Sequence, residues 1–159
     1  MSDIVIRLLT EADHEWVKQF ILQRWGSPIM IAHGVTYTLS ELPGFIADVE
    51  GEHAGLLTYD IQGRDCEIVS LDSTHPGVGT ALVEAAKTFA QQKGCTRLWL
   101  ITTNDNTHAL RFYQKRGYVL VAFHRDAITQ SRKLKPEIPL HGNDDIPIRD
   151  EIELELLLL

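Results

Sequence analysis

The stretch Glu67-Ile68-Val69-Ser70-Leu71-Asp72-Ser73-Thr74-His75-Pro76-Gly77-Val78-Gly79-Thr80 decides the fold. An apolar strand runs into a Pro-Gly turn and a Gly-x-Gly step. From Val78 to Gln92 apolar residues then recur at helical spacing. Val78, Ala81, Leu82, Ala85, Ala86, Phe89 and Ala90 share one side, and the alanines predict close packing against a sheet. Gly94 ends this helix. A strand that breaks on glycine and opens a helix points backbone N–H groups outward, an arrangement that phosphates bind. A dinucleotide fingerprint would need a third glycine, and a nucleoside-triphosphate loop would need Lys-Ser/Thr after the turn. Neither is present, so both are set aside.

Downstream, Thr96 to Thr102 reads as a buried strand, Asn106 to Arg116 as a second helix and Tyr118 to Phe123 as another strand. Asn106 and Tyr113 share a helix face, and Gly117 ends the helix in the left-handed region. Upstream, Ile4 to Leu9 is an opening strand. Thr10 caps a helix whose apolar face is Trp16, Val17, Phe20, Ile21 and Trp25, and Gly26 stops it. The segment Ile29 to Leu42 holds neither period and reads as loop with a short helix. Phe45 to Val49, Ala54 to Tyr59 and Cys66 to Leu71 form a meander.

Arg125 to Leu134 reads as an inserted helix, and Pro139 to Asp150 as a polar loop. A final strand follows in which Glu151, Glu153 and Glu155 make an acidic face. The order β-α-β-β-β-α-β-α-β-(α)-β predicts an α/β fold, a mixed sheet in three α/β/α layers. It is read as one domain over 1–159 with an insertion at about 125–150.

The 159 residues suffice for a full core. A net charge of −7 argues against nucleic acid as a partner, because phosphate neutralisation needs clustered Lys and Arg. Cys66 and Cys95 sit in apolar runs without metal or redox spacing and read as reduced core thiols. The start of the chain lacks a basic-then-apolar leader, and no apolar run approaches spanning length. A cytoplasmic, membrane-free protein is expected. No metal site is expected, because His33, His75 and His108 lack ligand spacing.

Thr74-x-x-Gly77-x-Gly79 and Asn106-x-x-Ala109-x-x-x-Tyr113-x-x-x-Gly117-Tyr118 together resemble the two motifs of the GNAT family of acyl-CoA-dependent N-acyltransferases. The second matches at every position. In the first, Thr74 stands where the family carries Gln or Arg. The resemblance implies the GNAT fold, acetyl-CoA (coenzyme A) as cofactor, and transfer of acetyl to a primary amine of a small molecule or peptide. It implies a pyrophosphate on the N–H groups of Val78, Gly79 and Thr80, with Gly77 shaping the turn. The pantetheine arm would run beside Leu71, Asp72 and Ser73. Asn106 would hold that arm or a water, and Tyr113 would give a proton to the departing thiolate. Glu67 is the first candidate base and Asp72 the second.

Strand alternation predicts Glu67, Val69 and Leu71 on one face, with Cys66, Ile68, Ser70 and Asp72 on the other. Trp25, Met30, His33 and Tyr37 read either as an acceptor pocket or as core. The insertion reads either as a cover for the acceptor or as a contact in a homodimer. Its Arg125, Arg132, Lys133 and Lys135 read as a solvated face. The alternative function is a non-catalytic acyl-CoA-binding sensor or interaction module.

Overall fold

The computed structural model describes residues 3–159. Met1 and Ser2, at the head of the segment read as lacking a leader, lie outside the described residues. In chain order the elements are β1 (Ile4–Leu8), α1 (His14–Trp25), β2 (Ile29–Ala32), β3 (Val35–Thr38), β4 (Gly44–Val49), β5 (Glu52–Gln62), β6 (Asp65–Ser73), α2 (Val78–Gln92), β7 (Arg97–Thr103), α3 (Thr107–Gln114), β8 (Val119–His124), α4 (Ala127–Leu134) and β9 (Glu151–Leu157). They fall into two compact units. The first takes the chain up to Met30, Tyr37–Leu98 and Leu158–Leu159, and the second takes Ile31–Thr36 and Trp99–Leu157.

The first unit is a sheet with a helix on each face. Strands β1, β4, β5 and β6 pair antiparallel in that order. Gly55, Leu57 and Tyr59 present one face of β5, and α2 packs there. A Cβ on Gly55 would meet Val78 Cγ1 at 2.6 Å and Leu82 Cδ1 at 3.0 Å, so glycine sets how closely the helix lies on the strand. The Phe89 ring packs against Phe45 and Tyr59, with centroids 5.4 and 5.3 Å away. Helix α1 serves the opposite face, where the Trp25 indole N–H donates to Asp72 at 2.8 Å. Ile46, Leu56, Leu57, Leu82 and Leu98 are fully buried, each contributing about 1.5–3 kcal/mol.

The entry to α1 is pinned by charge. The Arg7 guanidinium forks onto Asp13 at 2.7 and 2.8 Å, and the Thr10 N–H donates to the same carboxylate at 2.9 Å. Asp13 is buried, and Arg7 foremost holds its carboxyl well below the usual carboxylate range. Cys66 and Cys95 are buried free thiols, and burial pushes Cys66 up to about 12.

Two sequence expectations change here. The segment 29–42 is a β-hairpin followed by a short 3-10 turn, not a loop with a helix. Each of its strands has four residues, too few to establish a period. His33 and Gly34, with φ of 41° and 77°, form the tight turn that matches strand twist. The second change concerns β6. Thr58 pairs with Ser70 but Tyr59 pairs with Ile68, so Val69 is an extra residue, a β-bulge. Facing therefore switches across it. Glu67, Ser70 and Asp72 share one face with Asp60, Thr58 and Leu56, while Cys66, Ile68 and Leu71 share the α2 face.

In the second unit β9 lies between β7 and β8, and β8 pairs antiparallel with β9. Val119, Leu120, Val121 and Phe123 of β8 are exposed. The insertion is ordered by Arg132, which donates to the carbonyls of Ile138 (3.2 Å), Pro139 (2.6 Å) and Ile148 (2.7 Å). It is a strut for the loop after α4, which corrects its reading as a solvated charge. Among the described residues, no helix is long and apolar enough to cross a membrane.

Candidate active site

The strand–turn–helix junction of the first unit is open. Thr74, His75, Pro76 and Gly77 are all exposed. Gly77 has φ 82°, and a Cβ there would find only Ile4 Cδ1, at 3.6 Å. Thr74 turns its hydroxyl and N–H onto the Ala54 carbonyl at 3.1 and 2.8 Å. The side chain standing where the family has Gln or Arg thus anchors the loop to β5. The Val78 N–H reaches back to the His75 carbonyl at 3.4 Å, a long contact that helps close the turn. Gly79 and Thr80 lie in the first turn of α2, whose N–H groups the helix cannot satisfy internally. That turn carries no acidic residue. An anionic group fits this junction, with the helix dipole adding attraction. The residues present therefore suit the diphosphate of coenzyme A.

Behind the turn, the face of β5–β6 away from α2 carries a polar row. Glu67 is 3% exposed and accepts the Tyr37 hydroxyl at 2.7 Å. Burial, then Glu67, push the Tyr37 phenol above its ordinary value, so it remains a donor through the neutral range. Thr58 and Ser70 hydroxyls meet at 2.6 Å. Asp72 accepts from Trp25 and lies 3.7 Å from Arg24. Burial raises the Asp72 carboxyl, with Trp25 and Arg24 opposing. Arg24 also donates to the Ser73 carbonyl at 3.4 Å. Glu67 is therefore an interior carboxylate in a hydrogen-bonded row and not a strand-end surface charge. Leu71 points to the α2 side.

Asn106 and Tyr113 belong to the second unit. Asn106 caps α3, its Oδ1 accepting from the Ala109 N–H at 3.1 Å. Tyr113 is buried, with its ring edge-on to Phe112 at 5.0 Å and to Tyr118 at 5.2 Å. Gly117 has φ 93°, and the Tyr118 N–H closes onto the Tyr113 carbonyl at 3.1 Å. Every position of the second motif thus has a structural duty as well as any chemical one.

Of the four pocket candidates, Trp25, Met30 and Tyr37 belong to the first unit and His33 to the second. Trp25 bonds Asp72 and Tyr37 bonds Glu67, both in the first unit. His33, in the second, lines a cavity of about 300 Å³ with Gly34, His124, Ala127, Gln130, Ser131, Leu134 and Glu151. Glu151 is the functional candidate that sequence reasoning missed. Alternation placed it on an outward acidic face, yet it is 2% exposed. The one signal was its place as the first residue after the insertion.

The comparisons with known proteins give the class, a GNAT-type acetyltransferase. The sequence model of the Acetyltransferase (GNAT) family matches residues 13–118, and the chain belongs to that family. It is 47% identical to protein YdhI of Bacillus subtilis strain 168 over 136 residues, 84% of this chain and 85% of that one. Among solved structures it is similar to an IAA acetyltransferase from Bacillus cereus ATCC 14579, with TM-score 0.77 and 20% identity, covering 98% of this chain and 100% of that one. It is also similar to a Bacillus subtilis acetyltransferase in complex with CoA, with TM-score 0.70 and 21% identity over the whole of both chains. The expected α/β fold with a mixed sheet is the one these structures share. The family uses acetyl-CoA, which is the cofactor of this chain.

Proposed function

We propose that the protein acetylates a primary amine by direct attack, with Glu67 as base and Tyr113 as acid. The observation that carries this is Glu67 itself, a carboxylate withdrawn from water and fixed by the Tyr37 hydroxyl at 2.7 Å. A free amine attacks and an ammonium does not, so a placed proton acceptor is required near neutral pH.

Acetyl-CoA supplies the activated acetyl group. In this reading the first-turn N–H groups of α2 and the turn at Gly77 hold the diphosphate. Leu71, Asp72 and Ser73 offer backbone to the pantetheine arm, and Asn106 steadies the same arm or a water. Glu67 takes the ammonium proton while the Tyr37 hydroxyl keeps its carboxyl group in place. The Tyr113 hydroxyl gives up a proton to the leaving sulfur. Most of the acceleration comes from holding the two reactants together.

The test is thiol release from acetyl-CoA with a broad panel of small amines and amino-terminal peptides. Turnover with at least one amine class, lost in the double variant Glu67→Gln/Tyr113→Phe, is expected. CoA binding without thiol release across the panel would replace this reading by the non-catalytic acyl-CoA sensor.

A further inference from the structure

Strand β8 ends the strand order of the seven-stranded sheet. One of its long edges pairs with β9, and the other pairs with no strand among the described residues. Its sequence, Val119-Leu120-Val121-Ala122-Phe123-His124, holds no Lys, Arg, Asp or Glu. Val119, Leu120, Val121 and Phe123 are between 43 and 58% exposed. Leu157 extends this apolar edge onto β9. It lies two residues beyond Glu155, the partner of Val119, on the same face of the ribbon, and it is exposed too.

Natural proteins guard exposed strand edges with charge, proline, bulges or very short strands. Strand β1, at the other end of the strand order, carries such a charge in Arg7, which is drawn to Asp13 and Asp48. The guard on β8 is a bulge alone. Leu120 pairs with Leu154 and Ala122 with Glu153, so Val121 is the extra residue. A bulge shortens any ladder that a further strand could form, but it leaves the side chains uncovered. Apolar packing, and not a long row of main-chain hydrogen bonds, must therefore hold whatever covers this edge.

Charge and symmetry select the occupant. The chain carries a net charge of −7, so two copies repel wherever their acids face each other. On β8 a copy can meet itself without that clash, because Glu153 and Glu155 sit one strand inward and Glu153 lies 3.3 Å from His124. The bulge also makes the edge self-complementary. Leu120 and Phe123, opposite Leu154 and Ile152, share one face, while Val119 and His124 share the other. A twofold axis normal to the sheet, between Val121 and Ala122, sets Leu120 of each copy against Phe123 of the other on a common face. Size agrees as well. Val119, Leu120, Val121, Phe123 and Leu157 expose on the order of 500 Å² per copy, so two copies remove about 1,000 Å² from water, which reaches the lower bound for a specific interface.

We propose that β8 is the contact of a homodimer, in which two copies of this chain pack edge to edge about that axis. The contact lies on β8 and not on the insertion, and it stands independently of the acetyltransferase reading.

The experiment is sedimentation equilibrium of the full chain over micromolar concentrations. A mass twice the 18.0 kDa of one chain is expected. Phe123→Lys and Leu120→Glu should each weaken the dimer about thirtyfold or more. Combining the two on one chain sets opposite charges against each other across the axis and should restore much of the association. Val5→Lys, at an exposed position of β1, should leave the dimer intact. Thermal melts verify that every variant folds. A monomeric wild type, mass growing beyond two copies, a folded Phe123→Lys variant that still dimerises fully, or equal loss in Val5→Lys would overturn the proposal. Failure of the double variant to recover would overturn the facing of Leu120 and Phe123.

Discussion

Glu67 and Glu151 are both withdrawn from water, at 3% and 2% exposure, and they are held in different ways. Glu67 lies within a strand of the first unit and accepts a side-chain hydroxyl from Tyr37. Glu151 opens a strand of the second unit and accepts a main-chain N–H from His33. A side-chain donor can be deleted by one substitution, and its phenol can follow small movements of the carboxylate. A main-chain donor persists whatever residue stands at 33, and it fixes the carboxylate to the fold. Of these two contacts, the one to Glu67 is therefore the more easily removed and the one to Glu151 the more firmly built into the backbone. Burial alone does not assign a carboxylate its role; the kind of donor that holds it is informative too.

The largest effect should come from disabling the cofactor site. Gly79→Glu places a bulky anion in the first turn of α2 and is expected to weaken CoA binding about a hundredfold or more in calorimetry. Retained affinity would move the diphosphate elsewhere. Tyr113→Phe is expected to lower turnover about tenfold to a thousandfold with CoA affinity nearly unchanged. Unchanged turnover would remove Tyr113 as the main proton donor.

Glu67→Gln should cost about a hundredfold in kcat/KM near neutral pH. The deficit should shrink as pH rises toward the pKa of the amine, because more acceptor is then already free base. Tyr37→Phe should cost only a few-fold under the same conditions. A pH-independent deficit for Glu67→Gln would make that residue structural and erase its contrast with Glu151.

Asp13 supplies the calibration, a buried carboxylate with only a structural task. Asp13→Asn should leave turnover within about twofold and lower stability by about 1–2 kcal/mol at pH 7. Arg7 depresses the folded-state pKa of Asp13. Its stabilisation is thus present above the unfolded carboxylate value of about 4 and is lost as pH falls through the depressed value. Melts at pH 7 and pH 3 should therefore show the gap between wild type and variant narrowing in acid.

Much of the frame was legible because the chain punctuates it. Helix α2 spans Val78–Gln92 as its spacing predicts, since Gly77 and Gly94 bound an unbroken apolar stripe. The hairpin at 29–38 was illegible because its strands are too short for periodicity and its turn uses His33 in a conformation usually left to glycine. The facing of Glu67 was misassigned because Ile68 and Val69 are both apolar, so alternation gives no sign of which is extra. Glu151 was misread because a helix contributed by the insertion covers a face that the strand pattern paints as outward. The Asn106–Tyr118 motif was readable as a pattern, yet its spacing also follows from capping, helix termination and ring packing. A motif can mark a family while leaving the share of chemistry in each position to experiment.

The additional residue at Val69 makes the reading of this strand a matter of parity. Were the bulge ironed out with every residue kept, Val69 would take the place opposite Tyr59 and everything before it in β6 would rotate by half a turn. Glu67 would swing toward the side where the Phe89 ring packs, and Ile68 would take its place beside the Tyr37 phenol. The place of Glu67 thus depends on one residue being left out of the pairing, and a slip of register that changes no side chain would displace it, whereas loss of Val69 itself would not.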